Sequence, residues 1–161
     1  METMVRMGEM AISDTSGDVL VSLGLGSCIG LALVDKRAGV AGLAHIVLPG
    51  ASGTPKPAAM HKFADHAVPA LFDAMVERGA SRMFLHAALV GGASMFAAAG
   101  PKTLEVGQRN AAAVRELVAA RRVPVVAEAV GGSRGRTVRV DVGSGTVSVR
   151  EAGGVEEVLA A

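Results

Sequence analysis

The stretch Gly24–Pro49 reads GLGSCIGLALVDKRAGVAGLAHIVLP. It holds the chain's single cysteine, Cys28, behind a glycine-rich turn, and one of its four histidines, His45, inside an apolar run. A thiol of ordinary pKa (about 8.5) is mostly protonated at neutral pH, and a neighbouring imidazolium lowers that value to roughly 3.5–7.5. A Cys–His pair can therefore attack a carbonyl carbon and hand the proton on to a leaving group. The turn before the thiol frees backbone N–H groups, those of Gly26 and Ser27, that could bind an oxyanion. Ser22, on the preceding apolar run, could hold the second imidazole nitrogen, the third place in a triad. Residue type alone leaves the plainer readings open. A lone cysteine in an Ala- and Gly-rich chain is ordinarily a small buried hydrophobe. His45, between Ala44 and Ile46, reads equally as a core histidine, and Ser22 as a partly exposed strand residue.

Other chemistries lack their patterns. GLGSCIG approaches a dinucleotide-binding loop, but Ile29 stands where the third glycine belongs and a hairpin rather than a helix follows. Cys28, His45, His61, His66 and His86 lack metal-ligand spacing, and His61 and His66 miss the i, i+4 helical face. No metal and no cofactor is expected. GGASMF and GGSRGR read as glycine-rich connections.

The elements that must position Cys28 and His45 are two apolar runs around a short charged turn, IGLALVD–KRAG–VAGLAHIVL, which is a β-hairpin pattern. With Asp35–Ala38 as the loop, Val34 opposes Gly39, and counting outward by twos places Cys28 opposite His45. Directly opposed side chains share a face, with Cβ atoms about 4.5–5.5 Å apart. A three-residue loop would slip the register by one and turn His45 to the other face. The small residues Gly30, Ala32 and Ala41 predict an open face beside the pair.

The rest of the chain alternates short apolar runs with turns. MVRMG, EMAIS, VLVSLGL, RMFLHAALV, VPVVAEAV, TVRVDV and VSVREA read as strands. A helix is predicted from about Met60 to Arg78, starting or kinking at Pro69, and a second over VGQRNAAAVRELVAARR. The expectation is one α/β domain over residues 1–161: a layered sandwich with a mixed β-sheet built from hairpins and two long helices.

The chain has 161 residues, half of them hydrophobic, with 16 Lys and Arg against 15 Asp and Glu. That balance argues against nucleic acid or an anionic membrane surface as the main partner. No window of about 18 residues is apolar without interruption, so no membrane insertion is expected. METMVRMGEMAISD carries Glu2, Glu9 and Asp14 and does not read as a signal peptide. One cysteine fits a reducing cytosol.

Six blocks, LGLGSC, AHIVLP, FADHAVPAL, GGASMF, VGQRN and AEAVGGSRGR, resemble those of the chemoreceptor glutamine deamidase family, CheD, in order and spacing. The resemblance covers nearly the whole chain. It implies a cytoplasmic chemotaxis enzyme that hydrolyses selected glutamines on chemoreceptor helices to glutamate and ammonia through a thioester, tuning chemotaxis. It implies an α/β sandwich, Cys28 as nucleophile, His45 as base, and Ser22 at a position where the family carries threonine. It also implies a CheC-type phosphatase as partner. Two residues depart from the family pattern: Ala129, where an acidic residue is usual, and Ala88, where lysine is frequent. A second reading makes the chain mainly a binding partner and regulator of that phosphatase. A third makes it a hydrolase of small amides.

Overall fold

The computed structural model describes residues 1–94 and 101–161. The described chain runs β1 (Glu2–Met4), β2 (Met10–Ser13), β3 (Val19–Leu25), β4 (Ile29–Asp35), β5 (Val40–Ile46), a 3-10 segment (Pro57–Lys62), α1 (Ala64–Glu77), β6 (His86–Gly91), α2 (Pro101–Ala120), β7 (Val125–Val130), β8 (Arg136–Asp141), β9 (Thr146–Glu151) and β10 (Glu156–Ala160). The strands form two five-stranded sheets, ordered β1-β3-β8-β9-β10 and β2-β5-β4-β6-β7. Both are mixed: β1–β3 and β6–β7 are parallel and the other pairs antiparallel. The parallel β6–β7 pair is joined through α2, as a parallel neighbour requires a crossover. The α/β layered sandwich is as expected.

β4 and β5 are buried at every position and lie in the middle of the molecule. Their side chains alternate between two cores. Ile29, Leu31, Leu33, Ala44 and Ile46 pack with α1 and α2 through Leu71, Met75, Val114 and Val118. Ala32, Val34, Ala41 and Leu43 pack against the other sheet through Leu25, Val138, Val140 and Val147. The layers are therefore helices, sheet, sheet. This explains why two antiparallel strands read as near-continuous apolar runs: both faces are covered, as is usual for parallel strands.

The hairpin register differs from the sequence expectation by two residues. Asp35 pairs with Val40, Val34 with Ala41 and Gly30 with His45. The loop is Lys36–Gly39, and Gly39 takes the left-handed φ of 69° that the turn requires. Because the slip is even, His45 keeps its predicted face but opposes Gly30, and Cys28 lies one diagonal step away. The face beside the pair is not open, because the second sheet fills it. A Cβ on Gly30 would sit 2.9 Å from Leu25 and 3.0 Å from Val138, so glycine here lets the two sheets close.

α1 starts at Ala64, with Pro69 inside it. The predicted strand RMFLHAALV shortens, since Arg82–Leu85 form the approach to β6. α2 begins at Pro101, ahead of the predicted VGQRN start, and the tail EEVLAA supplies β10, an edge strand on β9. Met95 and Phe96 of GGASMF lie outside the described residues.

Candidate active site

Cys28 lies in the bend Gly26–Cys28 between β3 and β4. A bulge in β3 prepares this bend. Its register shifts between Ser22 and Leu25, where Gly24 has φ 61° and Leu23 turns out to solvent. Bulges of this kind re-aim the chain at the rim of a sheet.

Three consecutive carbonyls of the bend then point into the protein. Ala93 N donates to Gly26 O (2.8 Å) and Gly92 N to Cys28 O (2.9 Å). Asn110 Nδ2 donates to Ser27 O (2.9 Å). Among the described residues, the N–H groups of Gly26, Ser27 and Cys28 meet no acceptor outside the bend. A run of inward carbonyls and unclaimed amides is the backbone arrangement an oxyanion needs.

The glycines of the distant sequence blocks make this possible by close approach. A Cβ on Gly91 would stand 2.0 Å from Cys28 O, and one on Gly107 of α2 would stand 2.6 Å from Gly92 O. Ser94 N donates to Gly132 O (2.9 Å) and Gly131 N to Gly91 O (3.0 Å). Arg136, from the other sheet, donates from Nη1 to both Gly91 O (3.1 Å) and Gly131 O (2.8 Å). GSC, the start of GGASMF, VGQRN and GGSRGR thus meet at one end of the molecule, around the thiol.

His45 is 5% exposed and its backbone is pinned on both sides by the segment joining β1 to β2. Gly8 N donates to His45 O (2.9 Å), and His45 N donates to Glu9 O (3.0 Å). The ring meets Val5 O through Nδ1 at 3.1 Å. A carbonyl only accepts, so Nδ1 carries the hydrogen and Nε2 is left with its lone pair. Nε2 has no partner among the described residues. His45 lines a mostly apolar cleft of about 340 Å³ with Met4, Val5, Arg6, Met7 and Leu23. Ser22 is fully buried and makes no hydrogen bond to the imidazole; its Oγ donates to the same Val5 O at 2.7 Å. The hydroxyl and the imidazole thus share one carbonyl acceptor.

Cys28 and His45 are not hydrogen-bonded to each other. Cys28 sits just beyond the last pair of the ladder, Ile29–Ile46, and His45 one pair inside it, opposite Gly30. Burial raises the Cys28 thiol pKa, against a smaller lowering by its own backbone N–H. Burial lowers the His45 pKa, opposed by Val5 O and by Glu9. Both shifts favour the neutral thiol and the neutral imidazole over a thiolate–imidazolium pair.

Sequence reasoning missed two contributors. Val5 acts only through its carbonyl, which no side-chain pattern records. Asn110 is fully buried on α2, and its Nδ2 donates to Val47 O (2.9 Å) as well as to Ser27 O. Its Oδ1 is buried without a partner among the described residues, a desolvation cost of about 1–3 kcal/mol. The available signal was an asparagine inside the apolar-periodic run VGQRNAAAVRELVAARR. Ala88 is buried between the sheets and Ala129 is half-buried beside Val90, so neither departure falls on Cys28, His45 or Ser22.

Comparison with known proteins fits this convergence. A family model described as CheD chemotactic sensory transduction matches residues 47–151. The chain is also 41% identical over 157 residues to a protein of Symbiobacterium thermophilum, covering 96% of this chain and 95% of that one. The chain belongs to the CheD family. The CheD model match begins beyond His45, but an alignment of 96% of the chain necessarily runs through Cys28 and His45. Two further CheD relatives are 40% identical: one from Moorella thermoacetica (95% of this chain, 96% of that one) and one from Clostridium kluyveri (86% and 87%). All three are named probable chemoreceptor glutamine deamidase CheD. A crystal structure of a Neisseria meningitidis protein of the DUF152 family shares 14% identity at a TM-score of 0.45. That match covers 77% of this chain and 52%, about half, of the other. No helix among the described residues is long and apolar enough to cross a membrane.

Proposed function

We propose that this chain is a cytoplasmic chemoreceptor glutamine deamidase, one domain over residues 1–161, with Cys28 as nucleophile and His45 as base. The observation that carries this reading is the bend Gly26–Cys28, whose carbonyls turn inward and whose N–H groups meet no acceptor outside the bend among the described residues, beside an imidazole whose Nε2 has no partner among those residues. The deamidase names of relatives aligned along nearly the whole chain support it.

The carboxamide of a receptor glutamine enters between Sγ and Nε2. Sγ attacks the carboxamide carbon as the thiol proton passes to Nε2. The neutral resting pair makes this transfer part of the attack rather than a step before it. The carbonyl oxygen, now an oxyanion, accepts from the N–H groups of Gly26 and Ser27. The C–N bond breaks, Nε2 gives its proton to the departing nitrogen, and ammonia leaves a thioester on Cys28. Water attacks the thioester with its proton going to Nε2. Glutamate departs and the proton returns to Sγ. Val5 O holds Nδ1–H throughout, and Ser22 fixes that carbonyl.

The cleft beside His45 is rimmed by the exposed apolar side chains of Met7 and Leu23. Such a rim suits the apolar stripe of a helix, which is how a receptor would present its glutamine. A CheC-type phosphatase presenting a similar helix would occupy the same groove and compete with substrate. In the second reading that binding is the main role.

The test is ammonia release, with peptide mass mapping, from a glutamine-bearing receptor signalling domain mixed with the protein or with Cys28→Ala. Conversion of particular glutamines to glutamates by the wild type, reduced to background in Cys28→Ala, is the expected result. Equal conversion by a folded Cys28→Ala overturns the nucleophile assignment. No conversion by folded, reduced wild type on several receptors favours the phosphatase-binding role.

A further inference from the structure

We infer that Asn110 is a positioning residue that ties the nucleophile bend to the base strand and so sets the spacing of Cys28 and His45; its catalytic consequence rests on the deamidase reading. The β4–β5 ladder ends at the pair Ile29–Ile46. Just beyond it stand the carbonyls of Ser27, the residue before Cys28, and of Val47, two residues after His45. Two carbonyls cannot bond to each other. The amide of Asn110 carries two hydrogens on one nitrogen, and Nδ2 donates to both carbonyls at 2.9 Å. Because both partners only accept, the orientation of the amide is fixed. One side chain therefore completes the ladder where the backbone stops.

The clamp is itself anchored. Gly107, one turn earlier on α2, lies close enough to Gly92 and Ala93 that a Cβ would meet their carbonyl oxygens at 2.6 and 2.7 Å. Gly92 and Ala93 in turn donate to Cys28 O and Gly26 O. α2 thus fixes the bend twice, directly through Asn110 and indirectly through the Gly91–Ser94 loop, and the direct link, Asn110, also reaches Val47 O just beyond the His45 strand.

The test compares wild type, His45→Ala, Asn110→Ala and the double variant by the rate of Cys28 alkylation with iodoacetamide across pH, and by kcat and KM on a receptor signalling domain. Asn110→Ala is expected to lower kcat by on the order of a hundredfold, the scale of an ångström of misplacement, with KM unchanged. Its alkylation profile should move toward that of His45→Ala, and the double variant should be no worse than His45→Ala alone, because one pair is being uncoupled. If Asn110→Ala does not fold, Asn110→Asp keeps the shape, offers acceptors to both carbonyls, and is measured in its place with the same expectation. A folded variant with wild-type kcat and profile, or a loss that adds in full to that of His45→Ala, overturns the clamp. So does a raised KM at wild-type kcat. The alkylation result needs no receptor, so failure of the clamp and failure of the deamidase reading are told apart. If His45→Ala itself leaves the profile at wild type, the pair is not coupled and the clamp falls with it.

Discussion

The two ends of the β4–β5 hairpin bury polar groups that are treated in opposite ways. At the turn end, Asp35 is 1% exposed and both its oxygens are answered. Oδ1 accepts from Arg37 N (3.0 Å) and Ala38 N (3.1 Å), and Oδ2 from Ser81 N (2.7 Å). At the other end, among the described residues, His45 has one nitrogen answered and one without a partner, the amides of Gly26–Cys28 lack outside partners, and Asn110 Oδ1 has none. The satisfied cluster closes a turn and tethers α1's exit. The unsatisfied one leaves donors and an acceptor of the kind the proposed chemistry uses. Cavity size points the other way. A cavity of about 770 Å³ lies at the Asp35 end of the helices, lined by Phe72, Asp73, Arg82 and Arg121 among others. The cleft over His45 has less than half that volume. On the deamidase reading, unspent hydrogen-bonding capacity in a buried setting is the better guide to the site than cavity size.

Breaking the open end should cost activity without stability. His45→Gln keeps the size of the side chain and removes the base, and a loss of roughly 10²–10⁴-fold in kcat is expected, with melting temperature near wild type. The pH profile sharpens this. Burial lowers the His45 pKa, so the neutral base persists to more acid pH than an ordinary imidazole at about 6.5. Activity should hold through neutral pH and fall only below that value, and in His45→Gln the residual rate should lack that acid limb. The linked stability has the same sign. The unfolded chain takes up the proton first, so this contribution is present above about pH 6.5 and is lost as pH falls from there through the lower folded value. A limb centred at or above the ordinary value would contradict the buried neutral base.

Breaking the closed end should do the reverse. Asp35→Ala leaves three N–H donors facing a hole, and a loss of about 3 kcal/mol in unfolding free energy is expected, read by denaturant titration. Below its new midpoint the variant should turn over at the wild-type kcat. A large fall in kcat with unchanged stability would erase the distinction between the two ends. The smallest effect belongs to Ser22→Ala. Val5 O still holds Nδ1–H after the hydroxyl is gone, so kcat should drop by less than about tenfold, or 1.4 kcal/mol. A loss as large as that of His45→Gln would place the hydroxyl on the reacting atoms instead.

Most strands were readable because their apolar runs end at glycine-bearing turns. β3, β4 and β7 fall within the runs VLVSLGL, IGLALVD and VPVVAEAV. The register was not readable to a residue. Asp35 reads as the first turn residue, yet its carboxylate caps the turn from inside the strand, which moves the loop one position on at each end. Even so, the parity survived, and His45 keeps its predicted face. What no pattern held was the backbone chemistry: Val5 O under the imidazole, Gly92 N and Ala93 N on the bend, and the second sheet across Gly30. Main-chain groups look alike in every sequence, and only the fold aims them.

The most direct test of the central claim, an acyl group carried on Cys28, is trapping with hydroxylamine. The protein and a glutamine-bearing receptor signalling domain are incubated with hydroxylamine and the receptor is mapped by mass spectrometry. A thioester predicts γ-glutamyl hydroxamate at the glutamines that otherwise become glutamate, and none with Cys28→Ala. Glutamate formed at those positions with no hydroxamate at any hydroxylamine concentration would mean that water attacks the amide directly, and would contradict the thioester.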